Sequence, residues 1–302
     1  MRQSQTPNAV VMIRPHHFVS NPQTMHDNAY QVAAESQNSC IKAYQEVTGV
    51  AKLLTDAGVI VHLFEDETKL TPDSVFPNNW FSTHGDGQLL TYPMYAPNRR
   101  AERRNDIIEF LKQHYRVSKL TDFSDLTRNN LFLEGTGSMV MDHYHKTAYA
   151  VESKRTCAKL VAKVCKQLGY QAHIFKAIDE QGMAVYHTNV LMCVASNFVM
   201  IGLDMVPKEQ QASLLERFAQ HKKEVIVLSN SQIAQFCGNA IELQGKHGRV
   251  LALSHTACDA LTMEQKNIIE SSARLLPMSI PTLESAGGSI RCMLAGVHLQ
   301  NI

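Results

Sequence analysis

Short β-branched and aliphatic runs alternate with amphipathic stretches along all 302 residues of this chain, and no linker interrupts them. Residues 9–14, 60–64, 80–83, 88–92, 138–141, 148–151, 190–194, 198–202, 225–228, 250–254 and 291–297 have the length and side-chain character of strands. Helical periodicity covers residues 24–57, where Thr24 and Asp27 stand in capping-box spacing, and also 101–114, 155–168, 207–220 and 262–276. Strands interleaved with helices predict an α/β architecture. The unit returns roughly every 50 to 60 residues, as expected of repeated modules arranged around a centre. No Pro/Gly/Ser-rich or low-complexity segment divides the chain, so residues 1–302 are expected to form one domain.

Composition removes several function classes. A hydrophobic fraction of 44% and a charged fraction of 19% describe a globular chain with a sizeable core. The net charge is +1, and only Arg99, Arg100, Arg103 and Arg104 cluster, so no long basic face is available for nucleic acid. Seven cysteines, an odd number without a CxxC pair, argue against a disulfide framework and a zinc knuckle. Free thiols suit a reducing compartment, and a cytoplasmic location is expected. The first eleven residues are polar and lack a signal-peptide core. The longest apolar stretch, residues 185–206, is broken by His187, Asn189, Asn197 and Asp204 and does not read as a membrane span.

Four segments could carry chemistry. Gly287-Gly288-Ser289-Ile290-Arg291-Cys292 ends two backbone-permissive glycines on a thiol at the start of an apolar run. Most free cysteines are small buried hydrophobes, but this one could face the mouth of a site. A nucleophilic thiol needs a proton-transfer partner. His187, between Tyr186 and the polar Thr188-Asn189, is the best placed of the fourteen histidines, although a structural role fits it as well. His143-Tyr144-His145 and His16-His17 have no acidic or thiol ligand at metal spacing, so no metal is expected. Glu134-Gly135-Thr136-Gly137-Ser138 lacks the third glycine and helix start of a dinucleotide fingerprint, which leaves a carboxylate at a strand end. Pro77-Asn78-Asn79, before the single tryptophan Trp80, is turn chemistry by itself.

In this order the segments resemble the pentein, or guanidine-modifying enzyme, superfamily, which includes arginine deiminases, amidinotransferases and dimethylarginine hydrolases. Asp73-x-Val75-Phe76-x-Asn78-Asn79 is similar to the segment in which an Asp and then a Glu-Asp pair hold the guanidinium. Residues 96–102 resemble the turn whose Arg, here Arg99, grips the substrate carboxylate. Arg155 matches a second carboxylate-binding arginine, Glu134 the acid oriented against the catalytic histidine, and Cys292 the nucleophile. The runs 76–84 and 92–100 are most similar to bacterial citrulline utilization hydrolases.

The resemblance implies a five-bladed α/β propeller with its site on the central axis and no cofactor. It also implies a covalent intermediate on Cys292, with His187 moving protons. Two departures refine the expected substrate. Asn189 stands where deiminases carry the Asp of His-x-Asp, and Asn78 and Asn79 replace carboxylates. Carboxylates suit a guanidinium cation, whereas an Asn amide offers a C=O and an NH₂ that match a neutral ureido group. The expected reaction is therefore cleavage of citrulline to ornithine, ammonia and carbon dioxide. Asp73, Asn78, Asn79 and Asn189 would lie at the ureido end, and Arg99 and Arg155 on the α-carboxylate. The rivals are arginine or dimethylarginine as substrate and, remotely, a non-catalytic pentein binding module.

Overall fold

A computed structural model describes every residue except 1–3, 26, 27, 29, 30 and 32–36. It contains five separate three-stranded sheets, each built to the same plan. A short inner strand runs antiparallel to a middle strand, which is parallel to an outer strand. A parallel pair needs a crossover, and a helix supplies it in every sheet.

Three strands form the first sheet: β1 (Ala9–Pro15), β2 (Ile60–Asp66) and the inner strand Ala295–Val297 near the C-terminus, with Gln37–Asp56 as crossover. The second is β3 (Phe81–Thr83), β4 (Gln88–Thr91) and β5 (Lys119–Asp122), crossed by Asn105–His114. The third is β6 (Val140–Asp142), β7 (Thr147–Val151) and β8 (Gln171–Phe175), crossed by Ala158–Leu168. The fourth is β9 (Met192–Val194), β10 (Phe198–Ile201) and β11 (Glu224–Val227), crossed by Lys208–Gln220. The fifth is β12 (Ile241–Gly245), β13 (Gly248–Ser254) and β14 (Arg274–Met278), crossed by Met263–Glu270. Ala295–Val297, here β15, pairs with β1 at the opposite end of the chain, so the first blade is closed by both termini. This is the expected five-bladed α/β propeller.

Several local expectations are corrected. The helix expected over residues 24–57 is described over Gln37–Asp56. The Thr24 hydroxyl bonds Asn21 O at 3.2 Å and Gln31 Oε1 at 3.0 Å, and Asp27 lies outside the described residues. The helix expected over 262–276 starts at Met263, where Thr262 and Gln265 form a capping box, but stops at Glu270. Arg274–Met278 then pairs with β13 and turns Leu276 and Met278 inward, so period-two burial overrides a helical reading of Leu275-Leu276. Residues 291–297 are not one strand. Ile290–Met293 is a helical turn, and only Ala295–Val297 joins the sheet.

That last break is repeated around the molecule. Pro77–Asn79, Gly135–Ser138, Thr188–Leu191 and Ile290–Met293 are single turns of three or four residues, and each leads into an inner strand. Ser138 and Val190, expected in strands, lie in these turns. A turn too short to bury an apolar face is free to present polar side chains to the axis, while the strand after it supplies the burial.

Candidate active site

The turns converge their side chains at one end of the axis. Glu134 immediately precedes Gly135–Ser138 and His187 immediately precedes Thr188–Leu191, 53 residues later. Glu134 is fully buried and each carboxylate oxygen has its own work. Oε1 accepts the Tyr95 backbone N–H at 2.9 Å, and Oε2 bonds His187 Nε2 at 2.8 Å. The same Oε2 lies 3.7 Å from both Arg99 and Arg155. Burial alone would raise the Glu134 carboxyl, but Arg155, the His187 bond and Arg99 outweigh it and hold it well below the usual carboxylate range. Glu134 is thus an ionised acceptor, and the proton of His187 sits on Nε2, which leaves Nδ1 as the lone-pair nitrogen. Burial lowers His187, and with Arg155 and Arg99 acting the same way it outweighs Glu134, so the ring is neutral near pH 7.

Gly137 makes this arrangement possible. A Cβ there would stand 2.2 Å from Asn79 Nδ2 and 2.9 Å from His187 Nδ1, so no residue with a side chain fits between them. Asn79 and His187 therefore face each other across a bare stretch of backbone.

Cys292, 3% exposed, lies on the turn Ile290–Met293. Ser289 anchors the start of that turn by donating to Glu284 Oε1 at 2.8 Å, and Thr256 donates to the other Glu284 oxygen at 2.7 Å. Two amide nitrogens point at the sulfur, Asn189 Nδ2 at 3.3 Å and Asn239 Nδ2 at 3.2 Å. Asn189, expected beside the substrate, is thus placed against the thiol, and its Oδ1 finds no partner among the described residues.

The arginines differ from the expectation of two forks offered to a ligand. Arg99 gives Nε and Nη2 to Glu102, both at 2.9 Å, Nη1 to Asn79 Oδ1 at 3.0 Å, and Nη2 also to Asp73 O at 3.5 Å. Glu102 lies three residues on in the turn Pro97–Glu102 and meets the guanidinium edge-on. The fork of Arg99 is therefore filled from within. Arg155 lies over the Tyr186 ring at 4.8 Å and donates to Thr24 O at 3.4 Å. Asp73 accepts from Asn21 at 2.7 Å.

A narrow cavity of about 20 Å³ joins these groups, lined by Cys292, His187, Asn79, Asp73, Arg99 and Arg155 and covered by Thr24 and Asn28. It has room for about one water. Asn78 does not line it, although both atoms of its buried amide lack a partner among the described residues. Of the expected site residues, the cavity wall brings together six, with Glu134 behind His187 and Asn189 behind the sulfur. Asn239, Glu102 and Gly137 were not expected there. Asn239 had a signal, since it stands 53 residues before Cys292 and 50 after Asn189, in phase with the repeat.

The histidine pair at 143 and 145 needs a correction too. Asp142, next in sequence, and the distant His221 bring a carboxylate and a second imidazole within 4.8 Å of His145. Two features oppose ion binding there. The His145 and His221 rings stack at 4.1 Å and 9°, so their in-plane lone pairs run parallel instead of converging. Lys223 Nζ lies 3.4 Å from the Asp142 carboxylate and supplies the cation internally.

The sequence matches the family of eukaryotic N,N dimethylarginine dimethylhydrolase over residues 14–299. No curated protein sequence matches it significantly. Among solved structures, apo ArgZ, a cyanobacterial arginine dihydrolase of the ornithine–ammonia cycle, superposes with a TM-score of 0.73 at 17% identity. That alignment covers 95% of this chain and 40% of ArgZ, so the chain spans less than half of that protein. A substrate-bound variant of the ArgZ N-terminal domain also gives 0.73 at 17% identity, covering 95% of this chain and 96% of the domain. A dimethylarginine dimethylaminohydrolase variant carrying an S-methyl-L-thiocitrulline adduct gives 0.67 at 14% identity, over 98% and 100% of the two chains. At these identities the likeness is one of fold. Among the described residues no helix is long and apolar enough to cross a membrane.

Proposed function

The chain belongs to the N,N dimethylarginine dimethylhydrolase family of penteins, and on that premise we propose that it is a cysteine hydrolase cleaving the ureido group of L-citrulline. Cys292 Sγ attacks the ureido carbon, forming a C–S bond while the carbonyl electrons move onto oxygen. The thiol proton passes to His187 Nδ1. Collapse of the tetrahedral species breaks a C–N bond, and the departing nitrogen takes the proton from His187. Water, deprotonated by His187, then attacks the S-bound carbonyl and releases the sulfur. Release of the sulfur leaves a carbamic acid, whose breakdown to carbon dioxide severs the remaining C–N bond, so that with one water consumed the products are ornithine, ammonia and carbon dioxide. Glu134 fixes the tautomer of His187 and stabilises the imidazolium formed at each transfer. Arg99 and Arg155, both in the cavity wall, would hold the α-carboxylate, with two donors of Arg99 shared with Glu102.

The observation that carries the neutral substrate is the amide character of the reacting end. Asn189 and Asn239 flank the sulfur, and Asn79 lines the cavity with an Nδ2 that has no partner among the described residues. An unpaired buried N–H suits a carbonyl oxygen, and a guanidinium has none. Arginine is the second reading, favoured by the Asp73 carboxylate in the cavity wall and by the family itself. The test is kcat/KM for citrulline and arginine side by side, in wild type and in Asn79→Asp. Citrulline should be preferred, and Asn79→Asp should move the ratio towards arginine by about tenfold or more, since a site that leaves a buried polar group unpaired rejects a ligand by a few kcal/mol. A wild-type preference for arginine with a ratio unmoved by the substitution would sink the citrulline reading.

A further inference from the structure

Four of the five repeats deliver a residue of the expected site to the axis, and the fifth delivers Asn239. Its segment, Cys237-Gly238-Asn239-Ala240, enters β12 as Glu134, His187 and Cys292 enter their own inner strands. Close packing holds the segment there: a Cβ on Gly238 would lie 2.3 Å from Val190 O, so its backbone rests directly on the turn that follows His187.

The orientation of the Asn239 amide is settled by its neighbours. Oδ1 accepts the Arg291 backbone N–H at 3.0 Å, and Nδ2 donates to the Asn189 backbone C=O at 3.0 Å. Turning the amide over would set nitrogen against N–H and oxygen against C=O. The group facing Cys292 Sγ at 3.2 Å is therefore the NH₂, with one hydrogen committed to Asn189 O and the other to the sulfur. Asn189 Nδ2 supplies a second donor at 3.3 Å. A neutral thiol is a weak acceptor and gains little from two buried donors. An anionic sulfur gains much more, because hydrogen bonds to ionised acceptors are about twice as strong. Fixed donors aimed at a forming charge cost no reorganisation when it forms.

We propose that Asn239 is a further catalytic residue, whose side-chain N–H stabilises Cys292 as thiolate and again when the sulfur departs. The inference rests on Cys292 being the nucleophile. It differs from a packing role in what it moves: a packing residue changes stability, whereas a thiolate donor changes the pH at which the sulfur reacts.

The experiment measures the rate of Cys292 alkylation by iodoacetamide against pH, read on the Cys292 peptide by mass spectrometry, together with kcat and KM. Asn239→Ala should move the midpoint of the alkylation profile up by about one pH unit and lower kcat by roughly 10- to 100-fold, with KM changed by less than about threefold. Asn239→Asp, of the same shape but with an acceptor facing the sulfur, should move both further. An unchanged profile and a kcat within about twofold of wild type in either folded variant overturn the proposal. If Asn239→Ala does not fold, Asn239→Ser gives the same readout, and loss of fold in both assigns Asn239 to packing and also overturns it. Cys292→Ala separates the two layers. If it keeps full turnover, the nucleophile reading itself has failed. If it is inactive while Asn239→Ala behaves as wild type, only the role of Asn239 has failed.

Discussion

The two ends of the inner strands make opposite use of the same side chain. At the entry end His187 is bonded to an ionised carboxylate, with arginines behind it. At the exit end β3, β6 and β15 each run into a histidine: His84, His143 and His298. Their rings gather, with 6.3 Å from His84 to His143 and 3.8 Å from His143 to His298. None is hydrogen-bonded to a carboxylate among the described residues. His84 Nε2 meets the Ser82 hydroxyl at 2.8 Å and His143 Nδ1 meets the Tyr170 hydroxyl at 2.9 Å. Gln5 closes this end, donating to Met141 O and Val194 O and accepting the His143 N–H. Burial pushes His84 down to about 4 and His143 well below its ordinary value, with nothing comparable to Glu134 opposing it. Burial makes an imidazole neutral at either end, but only a carboxylate partner makes it able to take a proton and return it.

The most severe test removes the sulfur. Cys292→Ala should abolish turnover and leave the fold intact, because one small side chain at a cavity contributes little packing, while alanine at any of the other six cysteines should spare the chemistry. Full activity in Cys292→Ala would end the mechanism. Next, His187→Ala should lower kcat by roughly 10²- to 10⁴-fold, the usual range for general acid–base catalysis. His84→Gln or His143→Gln should change it by less than about threefold if the exit end plays no part in proton transfer. Equal losses at both ends would erase the contrast. Smaller in activity but plain in stability, Glu102→Gln leaves the wholly buried Arg99 without its paired carboxylate. Burial pushes Glu102 up to about 8, so the ion pair is complete only above that value, and breaking it there costs about 3–5 kcal/mol, to be read by denaturant titration at about pH 9. An unchanged midpoint would mean that Asp73 and Glu134 already satisfy Arg99.

These contrasts were unequally legible in the sequence. The alternation and its repeat spacing are written in apolar runs, whereas the number of blades was what the family resemblance implied. The single turns before the inner strands are not, because a four-residue helix has too few residues to display a period, and residues 138–141, 190–194 and 291–297 therefore read as unbroken strands. Cys292, His187 and Glu134 were readable as types of chemistry. The internal use of Arg99 was not, since nothing in a sequence tells whether a guanidinium faces a ligand or a neighbouring glutamate. Asn239 was within reach, because projecting the repeat one unit back from Cys292 lands on it. The exit histidines could not be read at all: a lone His after an apolar run has no distinctive pattern, and their grouping exists only once three blades are set side by side.

The smallest expected effect concerns the exit end alone. An unfolded histidine takes up its proton near pH 6.5, whereas folded His84 resists until about 4. Between those values this group binds more protons in the unfolded chain, so its contribution to stability rises with pH and falls on acidification below about 6.5; buried Glu102, pushed up to about 8, acts with the opposite sign and is common to wild type and variant. One such histidine should cost about 1.4 kcal/mol on going from pH 7.5 to 5.5. His143 adds to the slope with the same sign, and His187 does so too, because its folded value is also lowered. The paired carboxylates Glu65, Asp66 and Asp122 cannot account for a loss in this window. Their folded values are lowered, so the stability they contribute is present above the unfolded carboxylate range near 4 and disappears only below it. Denaturant titrations of wild type and His84→Gln at the two pH values isolate the effect. The wild-type loss should exceed that of the variant by about 1.4 kcal/mol, with kcat of both proteins similar at pH 7.5. An equal loss in the two proteins would mean that His84 titrates normally, and that the exit end is open to water in a way its burial contradicts.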